Sequence, residues 1–211
     1  MNETDERSYR KLLWVLVLLG TFLDQASKYS VFKWLYPRTP DRDFHIVPGV
    51  FRLVAQFTHD PIPANGLQEL RSISGPTMPH VNEGALFGLG QEYKGYANFV
   101  FTVISIAAAV AMIYWSSRPS TGRDPALCTS LGLILAGTLG NLYDRLVFSG
   151  VRDFLEFYWF KFPVFNVADC CLVFGATLLL AQAVLHRPVT VPEHTDEESL
   201  AVAASGPAKY R

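Results

Sequence analysis

The sequence predicts a membrane α-helical fold: four transmembrane helices with a small extracytoplasmic β-rich segment and an interfacial aromatic segment. Three observations lead there. Half of the 211 residues are apolar and 18% are charged. The charges avoid four stretches of about 20 residues, each long enough at ~1.5 Å per residue to cross a ~30 Å hydrocarbon core. Lysine and arginine also collect in the flanks that such spans would place on one side. A net charge of -1 argues against nucleic acid as a partner. Cys128, Cys170 and Cys171 lie in apolar runs without zinc-ligand spacing and read as small hydrophobes.

Residues 1–11 read as a cytoplasmic N-terminus containing Arg7, Arg10 and Lys11. Leu12 to Leu23 imitates the apolar core of a signal peptide, but no small-x-small cleavage site follows and apolar residues resume through Tyr36. A retained first span over 12–36 is expected. Within it, Asp24 and Lys28 stand at i and i+4 and can neutralise each other. In the outer segment 37–95, Ile46 to Phe57 reads as one or two strands broken at Pro48-Gly49. The proline-rich stretch from His59 to His80 reads as loop, with a short turn within 67–73. Asn82 to Gly88 combines polar and small residues that let a backbone approach closely.

The second span, 96–115, has aromatic residues at both ends. A polar loop with Arg118 and Arg123 follows, then a third span, 126–147, whose Gly132, Gly137 and Gly140 offer a face for close packing on the fourth. Between 148 and 165, aromatic residues alternate with Arg152, Glu156 and Lys161, which suits the membrane interface. Asn166 reads as the N-cap of a fourth span, 167–186. Residues 12–187 thus form one four-span membrane domain, and 188–211 a polar, disordered cytoplasmic tail. The basic flanks, including Arg187, place both termini in the cytoplasm and the 144–169 region outside, although Arg145, Arg152 and Lys161 run against that bias.

The chemistry lies in two copies of one spacing, Asn141-x-x-Asp144 and Asn166-x-x-Asp169. An antiparallel helix pair would hold both aspartates at one depth, and two close carboxylates share a proton, one acting as base and one as hydrogen-bond donor. Capping remains an equally concrete reading of the same residues: Asn166-x-x-Asp169 as a helix start, Asn141 with Asp144-Arg145 as a polar helix end. A proton-coupled transporter would also carry intramembrane charge, but no internal repeat is present. A non-enzymatic membrane scaffold would need neither aspartate. The five histidines form no HExxH-like pair, so no metal site is expected.

Leu23-Asp24-Gln25-x-Ser27-Lys28, Asn82-x-Gly84-Ala85-x-Phe87, Gly140-Asn141-Leu142-x-Asp144-Arg145, Val151-x-Asp153-Phe154 and Phe165-Asn166-Val167-Ala168-Asp169 follow one another in an order that resembles the lipoprotein signal peptidase (signal peptidase II) family. The resemblance spans roughly 12–185. It implies a membrane aspartic endopeptidase that removes signal peptides from diacylglyceryl-modified bacterial prolipoproteins, cutting before the lipidated cysteine. Prolipoproteins and membrane lipids are then its partners, no cofactor is required, and a monomer in the cytoplasmic (inner) membrane is expected. It matches Asp144 and Asp169 to the catalytic pair. Asn82, Gly84, Asn141, Arg145 and Asn166 match positions around substrate and dyad, and Asp24 and Lys28 match the first-span polar motif. The sequence departs from the family pattern in an apparent insertion over 59–81, in Glu83, and in the long tail after Val189.

Overall fold

The computed structural model describes residues 8–36, 42–59, 65–71, 78–84 and 94–185. The expected tail at 188–211 and the stretch from Ala85 to Gly88 lie outside the described residues. The described residues form four long helices, α1 (Arg10–Leu35), α2 (Lys94–Ser116), α4 (Pro125–Phe148) and α5 (Val167–Leu185), with a short α3 (Pro119–Arg123) inside the expected polar loop. α4 starts where its sequence says it should. Asp124 Oδ1 accepts the backbone N–H groups of Ala126 and Leu127 at 2.9 and 3.0 Å, and Pro125 occupies the first turn, where its missing N–H is no loss. The helix ends at Ser149, which adopts a left-handed conformation (φ 61°).

Among the described residues three helices, α2 from Tyr96, α4 and α5, are long and apolar enough to cross a membrane. α1 has the length, 26 residues, but carries Asp24, Lys28 and Lys33 and does not qualify by composition. α4 is the central helix and packs against α1, α2 and α5. Of its most apolar window 56% is buried, against 6% for α2 and 11% for α5, so the outer helices turn Phe99, Val103, Val110, Val173 and Phe174 outward. In lipid such faces need no cover. Helix association there depends on close packing more than on the hydrophobic effect, which explains the small residues of α4. A Cβ on Gly137 would collide with the Ala168 carbonyl oxygen of α5, and one on Gly140 would stand 2.6 Å from Asp24 Oδ2 of α1. Gly132 instead faces Leu13 of α1, so the small-residue face serves two neighbours and not α5 alone.

The outer segment forms two small antiparallel sheets. β1 (Asp43–Val47) and β2 (Phe51–Val54) make a hairpin about Pro48-Gly49, and β5 (Leu155–Phe157) adds a third strand in the order β1-β2-β5. β3 (Phe57–Thr58) pairs with β4 (Met78–Pro79). The aromatic stretch 148–165 therefore contributes a strand and its return. The stretch expected as loop docks on α4: the 3-10 turn Gln68–Arg71 brings Arg71 Nε to the Val147 carbonyl at 2.9 Å, satisfying a helix-end acceptor. Asn65 Nδ2 donates to the same oxygen at 3.3 Å, and the Tyr29 hydroxyl to the Leu70 carbonyl at 2.6 Å.

Candidate active site

Asp144 is wholly buried (0% exposed) and its oxygens are occupied. Oδ2 accepts from the Arg152 backbone N–H at 2.9 Å and from Arg152 Nε at 3.1 Å. Oδ1 accepts from Arg152 Nη2 at 2.8 Å and from Gln25 Nε2 at 3.2 Å. Lys28 Nζ stands 3.4 Å from Oδ2 and pairs at 2.8 Å with Asp24, the partner that the i,i+4 spacing predicted. Asp24 Oδ1 in turn accepts the Ala168 N–H at 2.9 Å, capping the first turn of α5 from another helix. The Arg152 guanidinium lies over the rings of both Tyr29 (4.2 Å) and Phe148 (3.9 Å). Arg152 is 0% exposed, in contrast to the interfacial position expected from its aromatic neighbourhood. Two acids and two bases thus form a closed, electrically balanced cluster joining α1, α4 and the start of α5.

A different pair of carboxylates faces open space. Two β-bridges fix Asp153. Asn82 and Val151 exchange backbone hydrogen bonds at 2.8 and 2.9 Å, while Leu155 and Phe165 do so at 2.9 and 3.0 Å. Asp153 sits midway, beside Asn82 on one side and Asn166 on the other. Asn166 Nδ2 donates to Asp153 Oδ1 at 2.7 Å and Asn82 Nδ2 to Oδ2 at 3.2 Å. Asp169, in the first turn of α5, receives Asn141 Nδ2 on Oδ1 at 2.8 Å and the Asn166 backbone N–H on Oδ2 at 3.1 Å. Asn166 Oδ1 accepts the Asp169 N–H at 3.0 Å, completing a reciprocal cap. Each asparagine is oriented by what its carbonyl oxygen accepts: Gly84 N–H for Asn82 (3.0 Å), Lys28 Nζ for Asn141 (3.2 Å), Asp169 N–H for Asn166. Their NH₂ groups are therefore turned to the carboxylates. Gly84 has φ 112°, and a Cβ there would strike the Phe101 ring.

Burial, and next the charge of Asp169, pushes the Asp153 carboxyl up to about 7. Both acids line a cavity of about 600 Å³ whose polar end also holds Asn82, Asn141 and Arg145 and whose body is formed by Phe101, Phe157, Phe162, Phe165, Val173 and Phe174. Arg145 follows Asp144 by one residue and so points about 100° round the helix, into the cavity. Its guanidinium stands 5.5 Å from the Phe101 ring, and among the described residues its Nε has no hydrogen-bond partner. A long apolar ligand carrying one polar, cleavable bond fits this division.

The family profile described as signal peptidase (SPase) II matches residues 76–185. The lipoprotein signal peptidase of Symbiobacterium thermophilum is 31% identical over 173 residues, covering 81% of this chain and 93% of that protein. This chain belongs to the signal peptidase II family. In the lipoprotein signal peptidase of Pseudoalteromonas translucida, 39% identity extends over 105 residues, 48% of this chain and 62% of that protein. A bacterial membrane enzyme solved by the in meso method at 2.3 Å shares the fold, with a TM-score of 0.63 at 20% identity over 86% of this chain and 95% of that one. Family and apolar helices together make this a bacterial membrane protein.

In this signal peptidase II, the structure sets Asp144 apart from the cavity that Asp169 lines. Asp144 lines neither the large cavity nor the smaller one beside it, and it is consumed by Arg152 and Lys28. The two Asn-x-x-Asp copies are not equivalent: Asn166 caps the helix that carries its own aspartate, whereas Asn141 sits within α4 and serves Asp169 of the other copy. Asp153 is the acid that shares Asn166 with Asp169. Its sequence signal is Val151-x-Asp153-Phe154, one of five ordered motifs, but a lone carboxylate between strand residues carries no helical spacing that points to a partner. Asn82, Gly84, Asn141, Arg145 and Asn166 meet around the two acids, while Asp24 and Lys28 stand behind them.

Proposed function

We propose that this chain is an aspartic endopeptidase of the bacterial cytoplasmic membrane that cuts lipid-modified prolipoproteins before the lipidated cysteine, with Asp153 and Asp169 activating one water. The observation that carries this reading is the shared Asn166, which binds both carboxylates at the polar end of an apolar cavity of about 600 Å³. Acyl chains occupy the phenylalanine-lined body, and the scissile carbonyl meets the acids. With its carboxyl pushed up to about 7, Asp153 holds the shared proton and donates to the carbonyl oxygen. Asp169 takes a proton from water as the water oxygen bonds to the carbonyl carbon. Collapse of the tetrahedral intermediate breaks the C–N bond, and that proton passes to the departing amine. Asn82 and Asn141 hold the acids still, and the Arg145 cation steadies a carbonyl or a lipid phosphate.

α1 also spans the membrane, bringing the number of spans to four, because Asp24 and Lys28 neutralise each other inside it. Both termini are then cytoplasmic and the dyad faces outward. One chain supplies every group at the site, so a monomer suffices. The test is cleavage by purified protein of a lipidated and an unlipidated prolipoprotein. Processing of the lipidated form alone is expected, and a loss of about 10³-fold in either Asp153→Asn or Asp169→Asn. Equal cleavage of the unlipidated form, or an active Asp153→Asn enzyme, would overturn the assignment.

A further inference from the structure

A second, smaller cavity of about 190 Å³ lies on the strand side of the acids, lined by Gln56, His80, Asn82, Asp153, Pro163 and Val164. Four of these residues, Asn82, Asp153, Pro163 and Val164, also line the large cavity, so the two spaces meet at the carboxylate that faces both. Resting on the peptidase reading above, we propose that this smaller cavity receives the substrate chain on the carboxyl side of the cut, and that Gln56 and His80 bind its first residues beyond the lipidated one.

A peptide bond held between two acids must leave them in both directions. Along α5 the exit is the phenylalanine-lined cavity, reaching Cys170, Val173 and Phe174 of an apolar helix, which suits acyl chains and an apolar leader. The other exit is richer in polar side chains, Gln56, His80, Asn82 and Asp153, and lies toward the sheets. The chain that leaves the membrane for water after cleavage is the polar one, so it takes this exit.

Gln56 and His80 are neighbours because the His80 N–H donates to the Gln56 carbonyl at 2.9 Å just beyond the β3–β4 pairing. Among the described residues neither side chain is engaged by another protein group, and both are exposed. An amide and an imidazole each offer a donor and an acceptor, which matches an uncharged peptide backbone or a short hydrogen-bonding side chain. The cavity's size limits the fit to small residues. Both side chains lie outside the five motifs that carry the family resemblance, so substrate preference here belongs to this chain's own outer segment.

The experiment compares two lipidated peptides in detergent micelles, one ending in an amide at the lipidated residue and one extended by several small polar residues. Wild-type enzyme is expected to prefer the extended peptide in kcat/KM. In the Gln56→Ala/His80→Ala double variant that preference should collapse by roughly five-fold for each lost hydrogen bond, through KM with kcat retained. His80→Trp, which fills the cavity, should penalise the extended peptide more than the short one. Equal effects on both peptides, or none on either, overturn the subsite while leaving the peptidase reading intact. If wild-type enzyme cleaves neither peptide, that reading itself fails and the subsite with it.

Discussion

The Asn166 side chain donates to Asp153 at 2.7 Å while its own carbonyl oxygen caps α5 through the Asp169 N–H at 3.0 Å. One residue therefore does two separable jobs. Serine caps a helix about as well as asparagine but has no amide to give Asp153. Asn166→Ser should keep thermal stability within about 0.5 kcal/mol and still lose about 10²-fold in kcat, whereas Asn166→Ala should lose activity together with about 1 kcal/mol of stability. Unfolding curves and turnover numbers on the two variants separate the roles, and full activity in Asn166→Ser would remove the positioning role.

Asp144 and Asp153 should answer the same substitution differently. Asp144→Asn leaves Arg152 and Lys28 buried with one acid fewer, a loss of the order of 3–5 kcal/mol, so folded yield should drop. Asp153→Asn should fold and be inert. If Asp144→Asn instead folds normally without activity while Asp153→Asn cleaves, Asp144 is the partner of Asp169.

Protonation of Asp153 ties both activity and stability to pH. Activity should fall as pH rises through about 7, where Asp153 loses its proton. The folded carboxyl lies above its ordinary value of 3.8, so between about pH 4 and 7 the folded protein holds the extra proton. The stability from this group is complete below pH 4 and disappears as pH rises through 7. Asp153→Asn lacks that dependence, so its melting temperature relative to wild type should climb between pH 5 and pH 8. A difference that does not change with pH would contradict a raised Asp153.

Asp24 and Lys28 are coupled through 2.8 Å and jointly hold the N-terminus of α5 and the Asn141 amide. In a double-mutant cycle each single alanine substitution should destabilise by about 3–5 kcal/mol, and the double by clearly less than their sum. Additive losses would mean the pair is not an interacting unit.

Reporter fusions check the topology. Insertion after Ser149 or Gly66 should report the extracytoplasmic side, because the proposed dyad and both sheets lie at that end of α4 and α5. A cytoplasmic signal at either position would invert the site relative to the membrane.

What the sequence determined alone is what local periodicity encodes. Apolar runs of span length delimited α2, α4 and α5 to within a few residues, since a helix in lipid must satisfy its own backbone. Asn166 announced the start of α5, the i,i+4 spacing announced the Asp24–Lys28 pair, and Pro48-Gly49 announced the β1–β2 turn, because each depends on residues a few positions apart. Which acid stands beside Asp169 at the cavity was decided only by the tertiary structure. Asn141-x-x-Asp144 looked like a second copy of the site because helical spacing specifies which residues share a face, but not what that face meets. Here it meets Lys28, more than a hundred positions earlier, and Arg152, which folds back from beyond the helix end. Asp153 reached the cavity because two β-bridges, to Asn82 and across to Phe165, set its direction. Contacts at such separations are fixed by packing and strand pairing, and no short window of the chain contains them.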